Sequence, residues 1–301
     1  MLIKEYRIPF PATLEEYRIG MLYMVARATE EENRRSNGQP TVQLVTRRSF
    51  EDKKRGIKGI YTEKYVHTRN FLPSFMKVFL AEQKCILVEK AWNAFPDYCL
   101  TTYENHLLGR SFHLSVESRY IGNDRGCVEN ALKLSEEELA HREVVDLNIA
   151  SEEHLKMTAE TNVAKFESRV SKRSRLDAQG EWIAQGSPVM CCYKVVRFDV
   201  SAKGMPARRI EQWGHRNAMQ AAFVHYNRQV LCWMDQWYGL DISAVDGLCG
   251  KRGELGAISE RKHGLRPRIE AAATVLATEL AAESTAGLAF FFADQTNPFI
   301  T

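Results

Sequence analysis

Two short stretches decide the fold of this 301-residue chain, GIYTEK at residues 59–64 and EKAWNAFP at residues 89–96. Each reads as a β-strand, yet each places hydrogen-bonding side chains among apolar and aromatic neighbours. Because side chains alternate between the two faces of a strand, Thr62 and Lys64 share a face with the apolar Ile60. An unpaired buried polar group costs about 1–3 kcal/mol. The pattern therefore predicts a buried polar site whose hydrogen bonds are completed by other side chains or by a ligand.

The composition predicts a reduced, cytoplasmic protein with a packed core. The formal net charge is +3, which is too small to indicate nucleic-acid binding but suits a protein that visits anionic membrane surfaces. Residues 1–7 carry charges where a signal peptide needs an apolar core, and no apolar run approaches the ~20 residues that cross a bilayer. The seven cysteines are odd in number and lack CxxC spacing, which argues against both a disulfide framework and a metal clip.

The order of predicted elements is typical of an α+β fold, in which a curved sheet wraps a helix. Thr13 and Glu16 have the spacing of a capping box and predict a helix that runs to about Glu32. Apolar residues recur at helical spacing from Met219 to Trp237, which predicts a long helix packed on the sheet. A short helix is predicted at residues 73–80. The predicted strands cover residues 2–10, 41–50, 59–68, 85–94, 98–107, 111–121, 142–150 and 189–200.

Catalytic signatures are absent from the sequence. We find no GxSxG elbow, HExxH motif, Walker loop or dinucleotide fingerprint. The histidines show no ligand spacing, and nothing marks a general base for Cys99. The sequence therefore predicts a protein that is not an enzyme and has no metal site.

The polar-on-apolar pattern recurs on three other predicted strands. Thr101, Ser118 and Lys194 each interrupt an otherwise apolar face. If these faces look into one cavity, that cavity would bind an apolar molecule with a hydrogen-bonding, anionic head, and a phospholipid has that form. The alternative is that the assigned faces are displaced by one residue, which would turn these side chains toward solvent.

Six colinear segments are distinctive: IKEYRIP (3–9), EYRIG (16–20), YTEK (61–64), EKAWNAFP (89–96), MCCYK (190–194) and RQVLCWMD (228–235). They resemble segments of phosphatidylinositol transfer proteins, and the similarity runs from Met1 to about Asp241. The opening residues are closest to the retinal-degeneration-B-like class of that family. The resemblance implies a START-like helix-grip fold, in which a curved antiparallel sheet and long helices enclose one phospholipid with its head inward. It also implies a lipid-binding domain at residues 1–263 and a divergent, alanine-rich C-terminal extension at residues 264–301.

The resemblance implies six headgroup contacts, the first three to the inositol ring and the last three to the phosphate: Thr62, Lys64, Asn93, Thr101, Ser118 and Lys194. The alternation of strand faces selects five of these residues without reference to the family. Asn93 is selected only by its setting within residues 89–96.

Three places depart from the family pattern. Met21 stands where a glutamine of the first helix helps to hold the phosphate. Residues 247–250 lack the carboxylate that contacts inositol, and residues 202–203 lack the tryptophan pair that docks on membranes. Because an interfacial tryptophan pair is a strong anchor, we expect a different membrane contact. The resemblance thus implies a headgroup site that is complete on one wall and altered on the other.

Together these features predict a monomeric carrier that exchanges one phospholipid between membranes and makes or breaks no bond. Its ligand would be phosphatidylinositol, phosphatidylcholine or phosphatidic acid, with no cofactor besides the bound lipid. The protein would be cytoplasmic and would touch membranes transiently. The alternative is a lipid-sensing or lipid-presenting module that supplies lipid kinases without efficient transfer. An enzyme is a third reading, disfavoured because no acid and base are paired.

Overall fold

The computed structural model describes residues 1–35, 42–68, 85–201, 203–204 and 206–245. The predicted helix at 73–80 and the extension at 264–301 lie outside these residues. In chain order the main elements are β1 (Leu2–Phe10), α1 (Leu14–Arg35), β2 (Val42–Asp52), β3 (Ile57–His67), β4 (Ile86–Ala94), β5 (Tyr98–Glu104), β6 (Phe112–Gly122), α2 (Glu136–His141), β7 (Glu143–Asp146), α3 (Glu181–Gln185), β8 (Met190–Val200), α4 (Ala207–Trp213), a π-helical segment (Gly214–Gln220), α5 (Ala221–Cys232) and α6 (Met234–Trp237).

The strands form one eight-stranded sheet in the order β2-β3-β4-β5-β6-β8-β1-β7. The predicted α+β, START-like fold is confirmed. The sheet departs from the expected antiparallel arrangement in one pair, because β7 runs parallel to β1. The chain between β6 and β7 crosses the sheet, where the carbonyl groups of Gly126 and Ala131 accept hydrogen bonds from Arg7 and Arg119. The chain therefore arrives at the edge of β1 that β8 does not occupy, and there β7 runs in the same direction as β1.

The first helix begins as the sequence predicts. The Glu16 amide donates to the Thr13 hydroxyl at 3.2 Å, and the Thr13 amide donates to the Glu16 carboxylate at 2.7 Å. This reciprocal pair is the predicted capping box. The helix continues to Arg35, three residues beyond the predicted end.

The predicted C-terminal helix is confirmed in its packing but not in its continuity. It contains a π-helical segment, and Trp233 separates α5 from α6. The apolar stripe faces the sheet, where the rings of Phe223 and Tyr6 pack with their centres 5.4 Å apart. The buried members of the stripe are Met219, Phe223, Tyr226, Val230 and Trp237.

The first helix and the C-terminal helix cover the same face of the sheet, which we call the inner face. A Cβ atom on Gly20 of α1 would lie 2.8 Å from Val230 and 2.9 Å from Trp237, so only glycine fits this close approach. The Tyr17 hydroxyl donates to the side-chain oxygen of Asn227 at 3.1 Å. These contacts fix the two helices against each other above the inner face.

A buried arginine anchors the long segment between β7 and β8. The guanidinium of Arg228, on α5, donates to four backbone carbonyl oxygens at 2.7–3.3 Å: those of Ile149, Ser151, Leu155 and Lys156. Since buried carbonyls need donors, this one side chain holds residues 149–156 against the C-terminal helix.

Replacement of Arg228 by methionine removes these donors from the four carbonyl oxygens that they bind. We expect the free energy of unfolding in urea to fall by about 3–5 kcal/mol. Arg208 is exposed on α4 and provides the control, for which Arg208→Met should change stability by less than about 0.5 kcal/mol. A loss of less than about 1 kcal/mol for Arg228→Met would show that the anchor is dispensable.

Candidate headgroup site on the inner face

The structure places all six predicted site residues on the inner face of the sheet. None of them is more than 5% exposed to solvent. The alternative in which the strand faces are displaced by one residue is therefore wrong for these strands. The six are Thr62 and Lys64 on β3, Asn93 on β4, Thr101 on β5, Ser118 on β6 and Lys194 on β8.

One row of side chains crosses the middle of the inner face. Asn93 is opposite Cys99, Cys99 is opposite Ser118, Ser118 is opposite Lys194, and Lys194 is opposite Tyr6. Residues paired across neighbouring strands point to the same side of a sheet, so these five form a continuous row. The register thus brings together polar residues that are up to 188 positions apart in the sequence, from Tyr6 to Lys194.

A second row lies two residues further along the strands. Thr62 is opposite Ala91, and Ala91 is opposite Thr101. Two strand spacings separate the threonines by about 10 Å. The small side chain of Ala91 leaves space between the two hydroxyl groups.

A buried ion pair forms the next row. The Lys64 ammonium nitrogen lies 3.3 Å from a carboxylate oxygen of Glu89, which is fully buried. Burial raises the pKa of the Glu89 carboxyl, while the Lys64 charge and a hydrogen bond from Tyr103 oppose the rise. Sequence reasoning missed Glu89, although alternation places it on the same face as Asn93 and could have found it.

The opposite end of the site is cationic. The Lys194 ammonium donates to the Ser118 hydroxyl at 3.3 Å and to the Tyr120 hydroxyl at 3.4 Å. It also lies 5.4 Å from the centre of the Tyr120 ring and 5.2 Å from that of Phe223. Aromatic faces stabilise a desolvated cation. An ammonium held in this way is well placed to bind an anionic group such as a phosphate.

Two polar atoms of the inner face have no hydrogen-bond partner within the described part of the chain, the Thr62 hydroxyl and the Asn93 side-chain nitrogen. The Asn93 side-chain oxygen accepts from the Phe95 amide at 3.1 Å and from the Cys99 thiol at 3.2 Å, so the amide orientation is fixed. A threonine hydroxyl can donate and accept, and the asparagine nitrogen can donate. These two residues can therefore bind a hydroxylated group.

Buried charge on the outer face is compensated within the protein. Glu5 is 1% exposed, and its carboxylate accepts hydrogen bonds from Arg7 and Arg142. Glu129 pairs with both arginines in turn. The buried Glu5 carboxylate on the outer face is thus paired, whereas the Thr62 hydroxyl and the Asn93 side-chain nitrogen on the inner face have no partner among the described residues.

The structure describes two of the positions that depart from the family pattern, Met21 and Lys203. Met21 is fully buried on α1 and belongs to the apolar core, so it gives the site no hydrogen bond through a carboxamide. Lys203 is exposed in a turn. Residue 202 and residues 247–250 lie outside the described part of the chain.

Tyr6 connects the central row to the C-terminal helices. Its hydroxyl donates to the His215 carbonyl oxygen at 3.1 Å and lies 3.2 Å from Nδ1 of that ring. His215 Nε2 lies 3.3 Å from the Leu2 carbonyl oxygen and therefore carries the proton. Burial lowers the pKa of His215 to about 4, although the Leu2 carbonyl opposes the shift.

Neither a metal-binding cluster nor a membrane-spanning helix occurs among the described residues. Among the described residues, no group of three or more His, Cys, Asp or Glu side chains could hold a metal ion. Over the same residues, no helix combines the length and apolar character that crossing a bilayer requires.

A mixed sheet covered by long helices over a buried polar face defines a START-like, α+β lipid-binding domain. Residues 1–248 match the phosphatidylinositol transfer protein family. The chain is 34% identical over 249 residues to phosphatidylinositol transfer protein 5 of Dictyostelium discoideum, covering 81% of this chain and 82% of that protein. It is 36% identical over 245 residues to phosphatidylinositol transfer protein 2 of the same organism, with coverages of 81% and 91%. The beta isoform of the human phosphatidylinositol transfer protein is 30% identical over 251 residues, with coverages of 81% and 89%.

The chain therefore belongs to the phosphatidylinositol transfer protein family. The resemblance inferred from the six sequence segments is confirmed.

The buried histidine predicts a pH dependence of stability. Because the pKa of His215 falls from its ordinary value near 6.5 to about 4 on folding, the unfolded chain binds the proton more readily in acid. This contribution to stability is complete above about pH 6.5 and is lost as the pH falls toward 4. From pH 7.5 to pH 5.0, His215 should lower the free energy of unfolding by about 2 kcal/mol.

His215→Gln should reduce the wild-type loss of stability by that amount, as measured by urea unfolding at the two pH values. His106 is exposed, so His106→Gln should keep the wild-type pH slope. Equal slopes for the wild type and His215→Gln would contradict the assigned shift.

Proposed function

We propose that this protein binds one phospholipid against the inner face of its sheet and exchanges it between membranes. The observation that carries the proposal is the pair of buried atoms without a hydrogen-bond partner in the described residues, the Thr62 hydroxyl and the Asn93 side-chain nitrogen. Since each unpaired group costs about 1–3 kcal/mol, a ligand that completes their hydrogen bonds is bound favourably. The family match and the names of the relatives support transfer of phospholipid as the function.

The two ends of the inner face suit the two parts of a headgroup. Thr62, Lys64 and Asn93 would bind the hydroxyl groups of an inositol ring, because they combine donors and acceptors beside the Lys64–Glu89 ion pair. Thr101, Ser118 and Lys194 would bind the phosphate, because Lys194 supplies a buried positive charge that two hydroxyl groups can assist. The resemblance to the family assigns the same roles to these residues.

The energetics of the lipid tails determine how exchange would proceed. Each methylene moved into water costs about 0.8 kcal/mol, so two acyl chains keep the lipid bound away from membranes. Release would therefore occur only when the protein is docked on a membrane and opened. The exchange breaks no covalent bond and needs no cofactor besides the lipid.

The remaining features belong to the same proposal. The lipid-binding domain would extend through residue 263, followed by the extension at 264–301; the family match over residues 1–248 lies within that domain and covers none of the extension. The protein would act as a cytoplasmic monomer that touches membranes transiently and can deliver lipid to lipid kinases. One relative is named a cytoplasmic phosphatidylinositol transfer protein, from Drosophila melanogaster. The names of the relatives describe transfer, which favours a carrier over a module that only senses or presents lipid.

Replacing Thr62 with glutamate tests the headgroup assignment. The new carboxylate would replace the Thr62 hydroxyl in the second row. It would also add negative charge near Glu89. We expect transfer of radiolabelled phosphatidylinositol between phosphatidylcholine vesicles to fall at least about tenfold, or about 1.4 kcal/mol. The fold should be retained, as judged by circular dichroism.

Thr102 provides the matched control, because it is the next residue after Thr101 on β5 and lies on the outer face opposite Lys90. Thr102→Glu should transfer phosphatidylinositol like the wild type. Unchanged transfer by a folded Thr62→Glu variant would overturn the headgroup assignment.

A further inference from the structure

Arg18 is a partly buried arginine near the start of α1. Its Nε atom is buried and has no hydrogen-bond partner among the described residues. The guanidinium lies 5.9 Å from the centre of the Phe95 ring. Desolvation lowers the pKa of Arg18, with only Glu15 on its own helix acting in the opposite direction. The side chain nevertheless remains a cation at neutral pH.

The position of Phe95 locates Arg18 beside the central polar row. Phe95 follows Asn93 by two residues, and its amide donates to the Asn93 side chain at 3.1 Å. The centre of its ring lies 4.7 Å from that of Tyr120, whose hydroxyl accepts from Lys194. Arg18 on the helix and Lys194 on the sheet are therefore linked through two packed aromatic rings.

Two other partly buried arginines, Arg173 and Arg27, are engaged with oxygen atoms. Arg173 pairs with the Glu16 carboxylate at 2.7 Å. Arg27 lies on the same helix as Arg18 and also stacks on an aromatic ring, that of Trp233, at 4.9 Å. It differs from Arg18 because it donates to the Gln236 side-chain oxygen at 2.6 Å. The Arg18 Nε atom thus has no hydrogen-bond partner among the described residues, whereas the Arg27 guanidinium donates to an oxygen atom.

We propose that Arg18 binds the phosphate group of the lipid from the helix side, opposite Lys194. This inference rests on the proposed function. A guanidinium presents several donors in a planar fork that matches phosphate geometry, and it is the side chain best suited to phosphate in a partly desolvated site. The ligand class is a lipid that carries a phosphate, as distinct from a neutral lipid such as diacylglycerol.

The test compares substitutions at Arg18 with the same substitution at Arg27. Each purified variant is stripped of lipid and incubated with phosphatidylcholine vesicles that contain phosphatidylinositol. The fraction that carries phospholipid is then measured by native mass spectrometry. We expect Arg18→Met to require at least tenfold more vesicle lipid for half loading, and Arg18→Lys to be intermediate because it keeps the charge but loses the fork. Arg27→Met should load within twofold of the wild type.

The outcomes separate this inference from the proposed function. If the wild type loads no phospholipid, the carrier function fails. If the wild type loads phospholipid and Arg18→Met loads equally well, only the role of Arg18 fails. Should Arg18→Met not fold, Arg18→Lys decides the matter, because wild-type loading by a folded Arg18→Lys variant would overturn the inference.

A second arm distinguishes a lipid phosphate from a free phosphate. Inorganic phosphate and glycerophosphoinositol are added in place of vesicles, and the thermal midpoints of the wild type and Arg18→Met are compared. We expect no shift for either protein, because the acyl chains supply most of the affinity for the lipid. A shift in the wild type alone, without lipid loading, would show a site for soluble phosphate and would contradict the proposal.

Discussion

The rest of the structure depends on polar side chains buried on the sheet face that the helices cover. An apolar inner face would need only packing, but this face carries two lysines, a glutamate, hydroxyl groups and an amide, all nearly inaccessible to water. Desolvation of such groups is unfavourable unless each finds a partner. Part of the cost is offset within the protein, by the Lys64–Glu89 ion pair and by the contacts of Lys194. The remainder, at Thr62 and Asn93, is what the proposed lipid headgroup would complete, and this links the fold to its proposed function.

The two helices lie over this sheet face. The close approach at Gly20 and the hydrogen bond from Tyr17 to Asn227 hold α1 and α5 together, and the polar site residues of the inner face are nearly inaccessible to water. The electrostatics then differ along the site. The β3–β4 end contains a lysine and a glutamate in contact, whereas the β6–β8 end presents the Lys194 ammonium. This difference fits a ligand with an uncharged hydroxylated end and an anionic end.

Much of this arrangement could be predicted from the sequence, because the controlling patterns are local. Strand alternation placed Thr62, Lys64, Thr101, Ser118 and Lys194 on one face, and the capping box located the start of α1. Features that depend on pairing between distant residues could not be predicted in this way. The contact between Lys64 and Glu89 requires the register of β3 with β4, and the parallel pairing of β7 requires the path of the chain across the sheet. The π-helical segment before α5 could not be predicted from the apolar spacing, because that spacing begins only at Met219, near the end of the segment.

The central claim is that the inner face holds one phospholipid by its headgroup. It is tested most directly by native mass spectrometry of the full chain purified from cells, followed by release and identification of any bound molecule. We expect the mass of one chain plus one intact phospholipid, with inositol-containing lipid represented among the released species. A chain that purifies without lipid and takes none up from vesicles would contradict the claim, as would a bound lipid that the protein has covalently altered.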